Sequence, residues 1–145
     1  MPPSETLTAS GQRPPYGPEI ALDMAKKIAA AAVAEAKKNG WNVAVAIVNN
    51  HGFLVYYERL DDTQTASAAI AVEKARSAAM FRRATREMQD AVNKGNPAFL
   101  GIGATPVAGG LPVISNGKIV GAIGVSGVTS DQDEQVARAG LEAVK

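Results

Sequence analysis

The 145-residue chain contains no cysteine, which excludes disulfides, thiolate metal sites, iron–sulfur clusters and cysteine nucleophiles, and fits a reducing compartment. Histidine occurs once, at His51, so imidazole chemistry is confined to a single position. Neither sign of charge prevails. Fifteen basic residues against fourteen acidic ones leave a net charge of +1, which gives no general bias toward nucleic acid or an anionic membrane. No apolar run approaches the ~20 residues that a membrane span requires. The opening stretch lacks a basic region followed by an apolar core, so no secretory signal is expected and a cytoplasmic location is. A Ser–His–Asp order, zinc-ligand spacing and a phosphate loop are also missing.

What is present suits one domain, because a chain of this length buries roughly 70% of its unfolded surface and needs no staple. Residues 1–16, rich in Pro, Ser, Thr and Gly, read as a flexible arm, and residues 17–145 as the folded domain. Gly17-Pro18-Glu19 carries helix-start signals, and an Ala-rich helix is expected from there to Asn39, ended by Gly40. Trp41–Val48 and Phe53–Leu60 read as strands joined by the turn Asn49-Asn50-His51-Gly52. Asp61-Asp62-Thr63 then caps a long helix to about Arg83, followed by a short one over Thr85–Val92. A Gly/Pro-rich loop runs from Lys94 to Gly110. Leu111–Ser115, the turn Asn116-Gly117 and Lys118–Val128 form a second hairpin, and a capping box at Thr129–Gln132 opens the last helix. The order α-ββ-α-(α)-loop-ββ-α predicts an α+β fold, with a mainly antiparallel sheet of about five strands flanked by helices.

Several side chains stand out chemically. His51 is a candidate iron ligand or general acid/base, or an exposed turn residue. Lys74 lies on a small, apolar helix stripe, where a lone ammonium is costly. It either holds a ligand carboxylate, acts as a base, or pairs with Glu73, Asp61 or a neighbouring subunit. Arg59 and Asp61 end the second strand, where they orient an acid or fix strand to helix. Arg82, Arg83 and Arg86 form a basic group whose guanidiniums could fork onto carboxylates. Gly109-Gly110 precedes a strand and reads as backbone closely approached by a ligand or subunit. Gly121, Gly124 and Gly127 likewise leave room for something to press on the sheet. Asp131, Asp133 and Glu134 charge-balance the last helix. Two functions follow as expectations. One is a small oligomeric protein that binds an anionic organic ligand. The other is an enzyme or accessory protein of small-carboxylate catabolism, with Lys74, Asp61 or Glu134 moving protons as in an isomerase or hydratase.

A set of strings sharpens the first reading. Val48-Asn49-Asn50-His51-Gly52-Phe53-Leu54, Glu58-Arg59-Leu60-Asp61, Glu73-Lys74-Ala75, Phe81-Arg82-Arg83-Ala84-Thr85, Gly109-Gly110-Leu111-Pro112-Val113 and Gly121-Ala122-Ile123-Gly124-Val125-Ser126-Gly127 occur in this order. Together they resemble the GlcG-like haem-binding (haem-degrading) domain, which also forms the C-terminal part of some PduO-type corrinoid adenosyltransferases. The resemblance implies an antiparallel sheet flanked by helices, a symmetric homo-oligomer, and binding of haem or a related tetrapyrrole. On that basis Lys74, Arg59, Arg82 and Arg83 would hold propionates, His51 would ligate iron, and Gly109 and Gly110 would line the pocket. Where some haem-binding members place a histidine near the end of the first helix, this chain has Lys37.

Overall fold

The computed structural model describes residues 12–145. Helix α1 spans Leu22–Lys38, the strands β1 and β2 span Ala44–Asn49 and Leu54–Arg59, and the helices α2 and α3 span Ser67–Met80 and Thr85–Asn93. A single 3-10 turn, Ala98–Leu100, interrupts the long loop before β3 (Gly110–Ser115), β4 (Lys118–Ser126) and α4 (Ser130–Glu142). The strands form one antiparallel sheet in the order β2-β1-β4-β3. The α+β architecture is as expected, but with four strands instead of about five.

The helices divide between the two faces of this sheet, and side-chain size decides which goes where. Val45, Ile47, Ile123 and Val125 belong to the larger core, with Ile28 and Ala32 of α1 and Val136 and Ala137 of α4. Ala44, Ala46, Val48 and Ala122 pack instead with Ala71, Ala75, Ala78 and Ala79 of α2. β1 is covered on both sides, which is why it reads as an unbroken apolar run instead of an alternating one. Small residues on the second face let α2 lie almost on the backbone of the sheet. Gly124 pairs with Ala46 on one side and Gly110 on the other, forming a row without bulk across three strands. A Cβ at Gly124 would strike the carbonyl oxygen of Ala71, and one at Gly110 that of Lys74. What presses on these glycines is the protein's own helix.

Helix boundaries differ from expectation. α2 begins at Ser67 behind Ala66, with no side-chain cap, and Asp61-Asp62-Thr63 does not cap it. α1 starts at Leu22, not near Gly17, because residues 15–20 pair with β4 where β1 has ended. Ile119 N–H donates to Pro15 O, Gly17 N–H to Ile119 O, and Ile20 N–H to Val120 O. A backbone held in that ladder cannot also curl into a helix. Within the expected arm, residues 1–11 lie outside the described residues, while Arg13–Tyr16 are tied down. Arg13 pairs with Glu87 at 2.9 Å, and the Tyr16 hydroxyl donates to Ala79 O at 2.7 Å and Met80 O at 3.1 Å. α2 ends at Met80, short of Arg83. Phe81 caps it, and Arg82 turns the chain left-handed at φ 53° so that Arg83 N–H bonds to Ala78 O. This is a Schellman-type stop with arginine where glycine is usual.

Candidate functional site

The structure sorts the sequence-selected residues into three places. The first is the buried junction of α2, β4 and α4. Lys74 is 1% exposed, and its ammonium donates to Asp133 Oδ2 at 2.9 Å and Val125 O at 3.0 Å. Asp133 Oδ1 accepts from Val128 N–H at 3.1 Å. Gly109 and Gly110 are buried directly against Lys74, and Gly110 N–H donates to Thr85 Oγ1 at 2.9 Å. Glu134, one residue beyond Asp133, faces elsewhere and takes both its oxygens to Arg86 Nε at 3.0 Å. Arg86 also binds Asp131. The ion pair thus ties the two helical layers together around the end of the sheet. Burial lifts the Asp133 carboxyl above the ordinary range, although Lys74 and the amides of Val128 and Gly127 pull it the other way. Chemically this junction is closed, with every charge met inside the protein.

The second place is the chain between β2 and α2. Arg59 and Asp61 are exposed there, and among the described residues neither has an ion-pair partner. Lys74 sits in the middle of a 14-residue helix that starts beyond them, so Asp61, Lys74 and Glu134 do not converge on one point.

The third place is the C-terminal end of α2, where several chemistry-bearing side chains meet. His51 is exposed at the tip of the β1–β2 hairpin. Asn49 builds that tip, its Oδ1 accepting from the amides of His51 at 2.9 Å and Phe53 at 3.0 Å. Gly52 lies against Met80, which places the hairpin tip on the end of α2. Among the described residues, the His51 imidazole has no hydrogen-bond partner. Arg82 lies over the Tyr16 ring at 5.8 Å and donates to Pro14 O at 3.4 Å. The Arg83 guanidinium lies 5.4 Å from the Phe99 ring centre, and its Nε donates to Phe81 O at 2.8 Å. Phe99 meets Phe81 edge-on at 6.3 Å. Burial, then the repulsion of Arg13, pulls Arg83 below the usual arginine range, with Glu87 opposing. Apolar groups are exposed nearby in sequence: Met80 at 51% and, on the loop carrying Phe99, Leu100 at 63% and Ile102 at 52%.

His51, Arg82 and Arg83 therefore share one end of α2, whereas Arg59 and Asp61 precede its other end, about 21 Å away along 14 residues. Sequence reading missed Asp133 as the partner of Lys74, and missed Tyr16, Thr85 and Phe99. A buried lysine announces that it needs an acid, but a partner 59 positions away leaves no local spacing to find it. An aromatic residue in a loop gives no sign of the cation it will meet.

The end of α2 carries an imidazole with no hydrogen-bond partner among the described residues, two arginine guanidiniums, and aromatic and aliphatic surface, a combination suited to an anionic, partly apolar ligand. Among the described residues there is no cluster of three or more His, Cys, Asp or Glu that would hold a bare metal ion, and no helix is long and apolar enough to cross a membrane.

Several known proteins are similar to this chain in sequence and in fold. GlcG of Escherichia coli is 44% identical over 108 residues, covering 74% of this chain and 81% of that protein. A double mutant of Streptomyces reticuli HbpS superposes with a TM-score of 0.82 at 31% identity, over all of this chain and 98% of the other. The PduOC–haem complex superposes with a TM-score of 0.80 at 26% identity, over 88% of this chain and 96% of the other. The family described as "Haem degrading protein HbpS-like" matches residues 20–142, and the chain belongs to that family.

Proposed function

We propose that this protein is a small homo-oligomeric binder of haem or a related tetrapyrrole, and that the ligand docks at the C-terminal end of α2. The observation that carries the reading is that the hairpin tip bearing the sole histidine, His51, lies on the C-terminal end of α2, the helix end that Arg82 and Arg83 directly follow. Membership of the HbpS-like family and the likeness to a haem-bound relative support it. In this reading His51 is the iron ligand, Arg83 takes the propionates with the charge of Arg82 beside it, and Phe81, Phe99 and the exposed aliphatic groups face the ring. Lys74, Gly109 and Gly110 are left out of the ligand-facing set, because Lys74 is buried against Asp133 and both glycines are buried against Lys74. The small-carboxylate enzyme reading would require Lys74, Asp61 and Glu134 to act together, and no observation of the structure favours it over haem binding.

Titration with haemin, followed at the Soret band, tests the proposal. Saturable binding is expected, with a changed band position and weaker affinity in His51→Ala. A linear, non-saturating response in the unaltered protein would remove the reading.

A further inference from the structure

We propose that Arg83 selects the ligand by its carboxylates, so that the site takes flat aromatic acids whether or not they carry iron. This inference rests on the tetrapyrrole reading and deepens it.

Four cations near the candidate positions differ in how much of their hydrogen-bonding capacity is already engaged. Lys74 is closed off by Asp133 and Val125 O. Arg86 is held by Glu134 and Asp131. Arg82 covers Tyr16 and reaches Pro14 O, which makes it part of the fastening of the N-terminal segment. Arg83 is different. Its Nε is anchored on Phe81 O and its plane lies by the Phe99 ring, while among the described residues no acceptor meets Nη1 or Nη2. A guanidinium fixed at one nitrogen and open at the other two presents the fork that a carboxylate matches in two-point geometry. Little rotational freedom remains to be lost when an anion arrives.

The surroundings point the same way. Arg13 and Arg82 are near enough to repel Arg83, and the one carboxylate acting against them, Glu87, is paired with Arg13. The repulsion that Arg83 feels from Arg13 and Arg82 is what an incoming anion there would relieve. Phe99, Leu100 and Ile102 follow one another on the adjoining loop, so an acid bound at Arg83 has apolar surface beside it for a ring. Among the described residues Arg59 also has an open guanidinium, but it makes no ring contact there and lies before the far end of α2. Nothing in an arginine fork responds to iron. Iron concerns His51 alone.

The test uses the full chain and three probes: haemin, the metal-free dicarboxylic porphyrin, and the dimethyl ester of that porphyrin. Binding is read by absorbance and by quenching of porphyrin fluorescence. The metal-free acid is expected to bind within about tenfold of haemin, and the diester about 10- to 100-fold more weakly than the acid. Arg83→Gln is expected to weaken both acids by a similar factor and leave the diester unchanged, whereas His51→Ala weakens haemin only. The diester arm needs no substitution, so it decides the matter even if Arg83→Gln folds poorly. A diester that binds the unaltered protein as tightly as the acid overturns the inference while leaving haem binding intact. Binding of the metal-free acid without haemin would support the carboxylate site and remove the haem reading. Failure of all three probes to bind would remove both.

Discussion

At the scale of single residues, Lys74 shows most clearly how a charge inside a small-residue layer is tolerated. An ammonium removed from water needs a full set of partners, and Asp133 with Val125 O supplies it. Lys74→Met leaves the buried carboxylate of Asp133 unpaired, and a loss of about 3–5 kcal/mol in urea unfolding is expected. Replacing both members, as in Lys74→Met with Asp133→Leu, should recover most of that loss, because an apolar pair of similar volume needs no desolvation. The pH dependence has a definite sign. Burial raises the folded-state value of Asp133 above its ordinary 3.8, so its contribution to stability is fully present below that value and declines as pH rises through the folded one. The pair is therefore not what makes the protein unfold in acid. In Lys74→Met the deficit should be largest near neutrality and shrink on acidification, as Asp133 takes up a proton. Melting curves between pH 4 and 8 check this, and a deficit that grows in acid would contradict it.

The glycines belong to the same scale. Gly124→Ala would drive a methyl group into the backbone of α2, which cannot swing aside as a side chain can. A cost at or above the roughly 1–3 kcal/mol typical of overpacking is expected, measured by chemical denaturation. The sequence showed that something approaches this strand closely. It did not show that the approaching group is the protein's own helix.

Among the elements, the end of α2 carries an unusual stop. Arg82 adopts a left-handed conformation that glycine would adopt more readily, and its side chain covers Tyr16. The Tyr16 hydroxyl in turn bonds to the terminal carbonyls of the helix. Tyr16→Phe removes these bonds and is expected to cost about 1 kcal/mol. Faster amide hydrogen exchange should appear at Ile119 and Gly17, whose N–H groups join this segment to β4. Unchanged exchange there would mean that the segment is held by its backbone alone. The start of α4 behaves as its sequence states. Thr129 and Gln132 close a reciprocal capping box on α4, and Thr129→Ala should cost about 1 kcal/mol in thermal unfolding. The turn signals and the α4 cap are legible because they are local: residues within four positions of each other satisfy one another's backbone groups. The start of α1 is not legible for the converse reason, since the competing partner of residues 15–20 is β4, about a hundred residues along the chain.

At the scale of the whole molecule, large apolar groups remain on the surface, notably Phe53 at 71% and Leu100 at 63% exposed. Single exposed side chains of this kind are ordinary, but several on the hairpin tip and the long loop suit coverage by a ligand or a second subunit. Light scattering is expected to give a multiple of the 15.0 kDa chain mass, and a monomer at all concentrations would count against the homo-oligomer.

Composition and local pattern by themselves determined the α+β class, both hairpins, the capped last helix, the absence of thiol chemistry and the family. Those properties depend on neighbours in sequence, or on a set of strings read in order. The tertiary structure alone decided that Lys74 belongs with Asp133, that the glycine row seats α2, and that His51 shares a helix end with Arg82 and Arg83 while Arg59 does not. The reason is physical: burial and charge pairing depend on distance in space, and residues 59 positions apart become neighbours only once helices have packed on both faces of the sheet.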